Sequence, residues 1–383
     1  MRTPGAVLVG LLAMGSGPAF AGPAATVVML PLQNLSGAEL AREAMGDLVA
    51  AALAQKGYSV VRGEPVEKIL EAERVRYLDS LPEASRARLF TELGAGFVAS
   101  GAVYSFADGE NPIVALSLRL VREDGTTAWW NVLGLSANET EGMFGLKRAS
   151  SLEALAKETT LRCLRDLPAP GAEPRPAQKR GGPFGQPQPT TFKGAGLEKG
   201  RRYRVCLLPF ENFTSAREAP QTLSMLLWRR LAEDGAFEVV EPAELRGAMV
   251  AEVVRSFRDM DPEKLRKLGS RFGTDLFVRG TLYSYREASR HGTAVPPEVA
   301  LELTLVDVRE GRVLWTSDHS RSGTQYQTLL QRGAIANVVS LTDQVLSEMV
   351  DAEKKSGPPT AARALRTTEA RPASTHEKGS TTP

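Results

Sequence analysis

The sequence predicts an α/β fold that occurs twice: two tandem domains, each a mixed sheet covered by helices in the order β-α-β-α-α-β-β-β-α. The first observation behind this prediction is an internal repeat. Residues 26–36 match residues 204–214 at an offset of 204 − 26 = 178, and Gly101-Ala-Val-Tyr104 matches Gly280-Thr-Leu-Tyr283 at an offset of 280 − 101 = 179. Landmarks that recur in the same order at nearly constant spacing indicate a duplication. The second observation is that each copy alternates short apolar strands with amphipathic helices.

Each copy begins with an apolar strand that a proline closes, followed by an Asn-X-Ser/Thr turn and an amphipathic helix. Gly57 and Gly235 are placed to end that helix. A short strand and two helices come next, then a strand with the Gly-X-X-Tyr motif, an antiparallel pair and a long terminal helix. From the short strand onward the predicted ranges are 58–61, 65–75, 83–93, 97–104, 113–121, 127–133 and 152–167 in the first copy, and 237–240, 242–257, 262–272, 276–283, 298–308, 312–316 and 326–353 in the second.

Two low-complexity stretches divide the chain. One is rich in proline, glycine and glutamine and lies between the copies, and the other is rich in threonine, alanine and arginine and follows the second copy. The predicted segments are a signal peptide at 1–21, a first domain at 24–168, a flexible Pro/Gly-rich linker at 169–200, a second domain at 201–355 and a disordered tail at 356–383.

The first residues are typical of a secretory signal peptide. Arg2 precedes a short apolar run, and Ala19 and Ala21 supply the small residues that a signal peptidase recognises. No cysteine stands at the cleavage point, so we expect export to the periplasm without a lipid anchor. No later stretch reaches the roughly 20 apolar residues of a membrane helix, so we expect no membrane span.

The composition argues against two features, nucleic-acid binding and a disulfide bond. The 47 lysines and arginines nearly balance the 45 aspartates and glutamates, which argues against a nucleic-acid-binding protein. Cys163 lies in a helical pattern and Cys206 in an apolar strand. Both are therefore expected to be small core residues rather than a disulfide pair.

The sequence predicts no cofactor, no metal site and no catalytic residues. The three histidines, His291, His319 and His376, have no counterpart in the first copy and no metal-ligand spacing, so each is expected to be a solvated surface residue. Nucleophile-elbow, P-loop and zinc-protease motifs do not occur. We therefore expect a protein that is not an enzyme.

Five residues are candidates for partner binding. Asn34 with Ser36, and Asn212 with Thr214, follow the first strand of each copy, where α/β folds commonly bind ligands. The alternative, which the residue types favour, is that these side chains bond the backbone of the turn and cap the next helix. Trp130 is the fifth candidate, because strand alternation turns it away from Trp129 and toward the other face of the sheet.

The repeated motifs resemble a superfamily of bacterial envelope domains. They are clearest in the second copy, as Leu207-Leu-Pro-Phe-Glu-Asn-Phe-Thr214, Phe237-Glu-Val-Val240 and Phe272-Gly-Thr-Asp-Leu-Phe-Val-Arg-Gly280. They look like the periplasmic domain of CsgG, the penicillin-binding-protein activator LpoB and the N-terminal domain of TolB. The resemblance implies non-enzymatic proteins of Gram-negative envelopes that dock on other proteins or assemble into rings. This chain departs from the pattern because it has no lipidation cysteine, no long alternating hairpins and no propeller repeats.

Together these observations favour a non-enzymatic periplasmic tandem-domain binding protein. It would act as an adaptor or regulator in outer-membrane assembly, secretion or cell-wall synthesis, and its partner would be an envelope protein. The alternatives are a ring-forming component of an envelope secretion complex and an enzyme acting on glycan or peptide. The sequence leaves open whether the protein is a homo-oligomer and whether its two domains pack together.

Overall fold

A computed structural model describes residues 26–140, 149–172, 188–194, 197–198, 200–252, 261–289, 295–327 and 333–355. These residues form two mixed sheets of parallel and antiparallel strands, so the predicted α/β class is confirmed. We refer to residues 26–172 as the first half and to residues 188–355 as the second half. The predicted signal peptide, the predicted tail and the residues His291 and His376 lie outside the described residues.

Within its described residues, the first half contains one sheet and four α-helices. In chain order its elements are β1 (Thr26–Met29), β2 (Gln33–Asn34), α1 (Ala41–Gln55), β3 (Ser59–Val61), α2 (Glu64–Ala72), α3 (Glu83–Leu93), β4 (Phe97–Ala107), β5 (Ile113–Val121), β6 (Thr127–Ser136) and α4 (Leu152–Cys163). The helix α3 has the predicted range, because Pro82 precedes it and Gly94 ends it in a left-handed conformation.

The second half repeats this order with one additional strand at its start. Its elements are β7 (Thr190–Lys193), β8 (Tyr203–Leu207), β9 (Glu211–Asn212), α5 (Ala219–Asp234), β10 (Phe237–Val239), α6 (Pro242–Ala251), α7 (Pro262–Phe272), β11 (Leu276–Arg286), β12 (Glu298–Asp307), β13 (Val313–Ser322) and α8 (Val338–Lys355). The helix α7 has the predicted range, because Asp261 caps its start through the Lys264 amide and Gly273 ends it.

Both sheets have the same topology. The first has the order β3-β1-β4-β5-β6, and the second has the order β10-β8-β11-β12-β13 with β7 added beyond β13. The strands β1, β3 and β4 are parallel, whereas β4, β5 and β6 form an antiparallel meander. The second sheet repeats this arrangement strand by strand.

The glycine of each Gly-X-X-Tyr motif leaves room for a side chain from the segment after the first strand to pack directly against the sheet. A Cβ on Gly280 would lie 2.2 Å from Cε1 of Phe210, and a Cβ on Gly101 would lie 3.2 Å from Cδ2 of Leu32 and 2.2 Å from the Ser117 carbonyl oxygen. Phe210 and Leu32 occupy the same position of the repeat, directly after the strand-closing proline. The two most visible repeated motifs are therefore in contact with each other.

Several elements end at other residues than predicted: β4, β6, β11 and β13 run beyond their predicted ends, and α4 ends at Cys163. Two further differences concern the last helix and an additional strand. The range 326–353 was too long for the last helix, because α8 begins at Val338, where Asn337 accepts a hydrogen bond from the Ser340 amide as an N-cap. The second difference is β7, which lies within the predicted linker and pairs with β13 in antiparallel register. Its four residues have little apolar periodicity, so only the pairing with an existing strand makes them a strand.

Helix layers cover the sheets on both sides, and one layer serves both halves. In the first half, α1 and α4 cover one face and α2 and α3 cover part of the other. In the second half, α5 and α8 cover one face, and α6 and α7 cover part of the other. The apolar cluster around α5 and α8 also contains residues of the first sheet. The two halves therefore pack together, with α5 and α8 between their sheets.

The prediction that both cysteines are core residues is confirmed. Both are free and buried. Burial raises the pKa of the Cys163 thiol to about 12 and that of the Cys206 thiol to about 11. Trp129 and Trp315 also lie in the cores beside α4 and α8, as their repeated position predicts.

The prediction for His319 was wrong. His319 is 4% exposed, and its Nε2 lies 2.7 Å from Oε2 of Glu348 on α8. Arg321, two residues along β13, donates to the same carboxylate from Nε and Nη2 at 3.0 and 2.9 Å. The register of the two sheets gives Leu133 and Leu135 the corresponding positions in the first half. The sequence pattern could not reveal this burial, because the acidic partner lies 29 residues farther along the chain.

The carboxylate of Glu348 is held in its charged form. Burial acts to raise its pKa, but hydrogen bonds from His319, Gln344, Arg321 and Tyr326 outweigh burial and lower the pKa to about 2 from an ordinary 4.5. A carboxyl with a lowered pKa in the folded state stabilises that state above its unfolded pKa, and the contribution is lost as the pH falls toward the folded pKa.

We expect Glu348→Gln to lower the free energy of unfolding by about 3 kcal/mol at pH 7, because the buried Arg321 loses its counter-charge. The difference from the unsubstituted protein should shrink as the pH falls from about 4.5 to about 2. Urea unfolding followed by circular dichroism across this range measures the effect. Glu310→Gln, in an exposed turn pair with Arg312, is the control and should change stability by less than about 1 kcal/mol. A pH-independent difference for Glu348→Gln would contradict the assignment.

Candidate functional site

The Asn-X-Ser/Thr elements build two nearly identical turns. Asn34 Oδ1 accepts from the amide and the hydroxyl of Ser36 at 3.1 and 2.7 Å, and its Nδ2 donates to the Ala38 carbonyl at 2.7 Å. Asn212 makes the same three bonds, with the amide and hydroxyl of Thr214 and with the Ala216 carbonyl, at 2.9, 2.8 and 2.9 Å. The predicted turn is therefore present, but the predicted cap is not, because α1 and α5 begin several residues later without a side-chain cap.

Each of these turns presents its middle residue beside the tyrosine of the Gly-X-X-Tyr motif. In the first half these residues are Leu35 and Tyr104, which are both 6% exposed. They belong to the same apolar cluster as α5, and the Tyr104 hydroxyl lies 3.6 Å from the sulfur of Met225 on that helix. The first turn thus positions a contact with the second half of the chain.

The sheet face that carries Tyr104, Ser117, Arg119, Trp130 and Gly134 is called the covered face below. At its centre Arg119 is 5% exposed, and its Nη1 and Nη2 donate to the two carboxylate oxygens of Glu241 at 2.9 and 3.3 Å. Its guanidinium also lies 4.1 Å from the ring centre of Trp228 on α5 and 5.2 Å from that of Trp130. A bidentate ion pair with stacked aromatic rings fixes the orientation of the two halves.

Further polar contacts surround this centre. Asp79, which is 2% exposed, accepts from Arg246 at 2.9 Å, and Ser80 donates to Glu241 at 2.9 Å. On the opposite side, Glu287 of the second half accepts from the Ser105 hydroxyl at 3.1 Å. Burial raises the pKa of the Glu287 carboxyl. The interface therefore has polar contacts at its margins as well as an ion pair and aromatic rings at its centre.

The second half also covers the edge of the first sheet. The Ser340 hydroxyl of α8 donates to the Gly134 carbonyl at 3.2 Å, and a Cβ on Gly134 would lie 2.2 Å from Oδ1 of Asn337. The neighbouring outward amides of β6 bond to side chains, Val132 to Asn131 at 2.9 Å and Ser136 to Glu139 at 2.7 Å. Side chains thus occupy the outer edge of β6 in the first sheet. In the second sheet, β7 covers the corresponding edge of β13.

The second half has the same face but presents it to solvent. The turn residue and the motif tyrosine are here Phe213 and Tyr283, which are 61% and 49% exposed. Their rings are stacked with centroids 6.1 Å apart. The face is called the open face below. It includes the exposed Tyr283 and Asp318, the partly buried Thr281, Glu302 and Thr316, and Thr304, which is 1% exposed. It is the counterpart of the covered face, without a helix layer from the described chain over it.

The five predicted candidates therefore divide between two places. Trp130 lies at the interface within the chain, where it packs against Trp228 with centroids 4.9 Å apart. Asn34 and Ser36 form the turn that carries Leu35 into that interface. Asn212 and Thr214 support the open face through the turn that carries Phe213. Sequence reasoning missed Phe213 and Tyr283 themselves. Their signal was present, because both are aromatic residues inside a repeated motif.

Comparison with known proteins places the second half near one family. Residues 195–373 match the model of the GNA1162-like family, described as "Putative lipoprotein GNA1162-like". The match covers 179 of 383 residues (373 − 195 + 1 = 179), which is just under half of the chain. The second half is similar to this family. No protein with a curated description matches the sequence.

Several solved structures resemble part of the chain. They include the PelC dodecamer from Paraburkholderia phytofirmans, with 15% identity over 43% of this chain and 98% of that one and a TM-score of 0.30. Lipoprotein GNA1162 from Neisseria meningitidis has 19% identity over 40% and 99%, with a TM-score of 0.30. The C-terminal domain of LpoB from Escherichia coli has 18% identity over 31% and 82%, with a TM-score of 0.23. These values are too low to support a functional statement, and the resemblance to CsgG and TolB stays a prediction.

Among the described helices, none combines the length and the apolar character needed to cross a bilayer. Across the part of the chain that the structure describes, no group of three or more His, Cys, Asp or Glu side chains is arranged to hold a metal ion.

We expect Arg119→Met and Glu241→Gln each to lower the free energy of unfolding by about 3 kcal/mol, because each leaves a largely buried charge without its partner. The double variant should lose less than the sum of the two, with a coupling of at least about 1 kcal/mol. Denaturant unfolding of the four proteins measures this cycle. The exposed pair Arg286 and Glu298 is the matched control, with an expected coupling below about 1 kcal/mol. Additive losses for Arg119 and Glu241 would contradict the interface described above.

Proposed function

We propose that this protein is a non-enzymatic binding protein of the bacterial cell envelope, acting as an adaptor or regulator of another envelope protein. Exported and periplasmic location, as the sequence predicts, is part of this proposal. Within it, the first half serves as a platform for the second half, and the second half binds the partner through the open face.

The observation that carries the proposal is the different use of one repeated sheet face. In the first half, this face binds the helices α5 and α8. In the second half, the corresponding residues Phe213 and Tyr283 are largely exposed, although aromatic side chains of this size gain free energy when they are buried. An exposed aromatic pair on a rigid sheet is typical of a protein-binding surface.

The similarity of residues 195–373 to the GNA1162-like family supports the envelope part of the proposal, because that family is described as lipoproteins. The match includes the open face and the turn with Asn212 and Thr214. We extend the envelope role from the second half to the whole chain, because the interface described above joins the two halves.

Photo-crosslinking in the source bacterium tests the proposal. We expect p-benzoylphenylalanine at position 213 of the full-length protein to crosslink to an envelope protein, because Phe213 projects from the open face. Position 161 is the matched control, since Leu161 is 42% exposed on α4, on the other side of the first sheet. Mass spectrometry of the envelope fraction identifies the crosslinked peptide.

A crosslinked envelope protein that is obtained from position 213 and not from position 161 would support the proposal. Equal background labelling from both positions would contradict it, because the open face would then be no better a binding surface than the exposed side of α4.

A further inference from the structure

The open face carries an unusual row of charges. The register pairs Glu211 with Thr281, Thr281 with Glu302, and Glu302 with Asp318, so these side chains share one face of four neighbouring strands. Glu302 and Asp318 are direct cross-strand partners, and like charges in this arrangement destabilise a sheet. The adjacent row carries one guanidinium, that of Arg279. Farther along the same face Arg286 pairs with Glu298. The described face therefore has four carboxylates against two guanidiniums, beside an exposed aromatic pair.

The covered face lacks these carboxylates and carries a positive charge in the adjacent row. The register puts Ser117 and Val132 where the second sheet has Glu302 and Asp318, and Arg119 where it has Thr304. The helix layer over the covered face answers that arginine with the carboxylate of Glu241 and the ring of Trp228. The covered face thus binds a helix layer that supplies a carboxylate and an aromatic ring. The open face carries carboxylates and aromatic rings of its own.

A second copy of this chain does not fit the open face in the same geometry. In the repeat, Glu43, Asp47 and Ala50 of α1 correspond to Gln221, Met225 and Trp228 of α5 at the offset of 178. Docking α1 of another copy would place the exposed Glu43, and Asp47 with its ion-pair partner Arg62, against Glu302 and Asp318. This arrangement combines repulsion between like charges with the loss of the apolar anchors of α5.

We propose that the open face binds a helical partner segment that presents arginine or lysine side chains. This inference rests on the proposed function and adds the chemistry of the partner. Cationic side chains of such a helix would pair with Glu302 and Asp318, while the stacked rings of Phe213 and Tyr283 would receive its aliphatic or guanidinium groups. Removal of the repulsion between the two carboxylates would favour binding further.

Crosslinking with charge variants of the full-length protein tests this inference. Position 283 carries p-benzoylphenylalanine, and the crosslinked residue of the partner is mapped by mass spectrometry. The test variant is Glu302→Gln with Asp318→Asn, and the matched control is Glu43→Gln with Asp47→Asn on α1. We expect the crosslink yield at limiting protein concentration to fall about tenfold in the test variant and to stay unchanged in the control. Thermal unfolding of both variants verifies that the fold is retained.

A mapped site within a segment rich in lysine or arginine, together with the tenfold loss, would support the inference. Crosslinks to an acidic or uncharged segment, crosslinks to a second copy of this chain, or a yield unaffected by the test variant would overturn the cationic partner. An acidic or uncharged partner segment, or an unaffected yield, would leave the adaptor function standing, whereas crosslinks to a second copy alone would contradict that function as well. Absence of any crosslink from positions 213 and 283 would overturn both the inference and the proposed function.

Discussion

The packing of α5 and α8 between the two sheets is the contact on which the rest of the structure depends. It joins residues of the first sheet and the core of the second half in one apolar cluster. Burial of Arg119 in this contact requires a counter-charge, and Glu241 supplies it from the other half. Each half therefore completes the other, since the first sheet would otherwise expose Tyr104 and Trp130, and α5 would expose Trp228. A change in this contact affects the position of every element that presents the open face.

The duplicated halves use equivalent positions for different purposes. Leu133 and Leu135 fill the first core, whereas the second core has a buried ionic cluster centred on Glu348 at the corresponding place. An apolar pair and a paired charge are both stable solutions for such a site, provided that each buried charge has its partners. The sheet faces show the same divergence, because one binds helices of its own chain and the other, around Tyr283, remains available for a different molecule. Duplication thus explains how one fold supplies both an internal interface and the exposed face that we propose as the binding surface for a partner.

Much of the fold could be predicted from the sequence, because short-range signals determine it. Proline and asparagine turns, left-handed glycines and the glycines under Leu32 and Phe210 all act within a few residues or along the repeat. The contact between the halves could not be located from the sequence, since it depends on residues more than 100 positions apart. One signal was available: α5 has apolar residues on two faces, with Met225 and Trp228 beyond the stripe that its own sheet needs. The burial of His319 depends on a partner 29 residues away, and the strand β7 depends on β13, which lies more than 100 positions along the chain.

Cleavage of the segment between the halves tests whether α5 and α8 hold the two halves together. A protease site inserted after Arg180 allows the full chain to be cut ahead of β7 once it has folded, so that both halves keep all of their described elements. The account predicts that the two fragments stay together during size-exclusion chromatography in native buffer and elute at the position of the uncut protein. Elution of the fragments as two separate species would contradict it, because α5 and α8 would then not hold the first sheet.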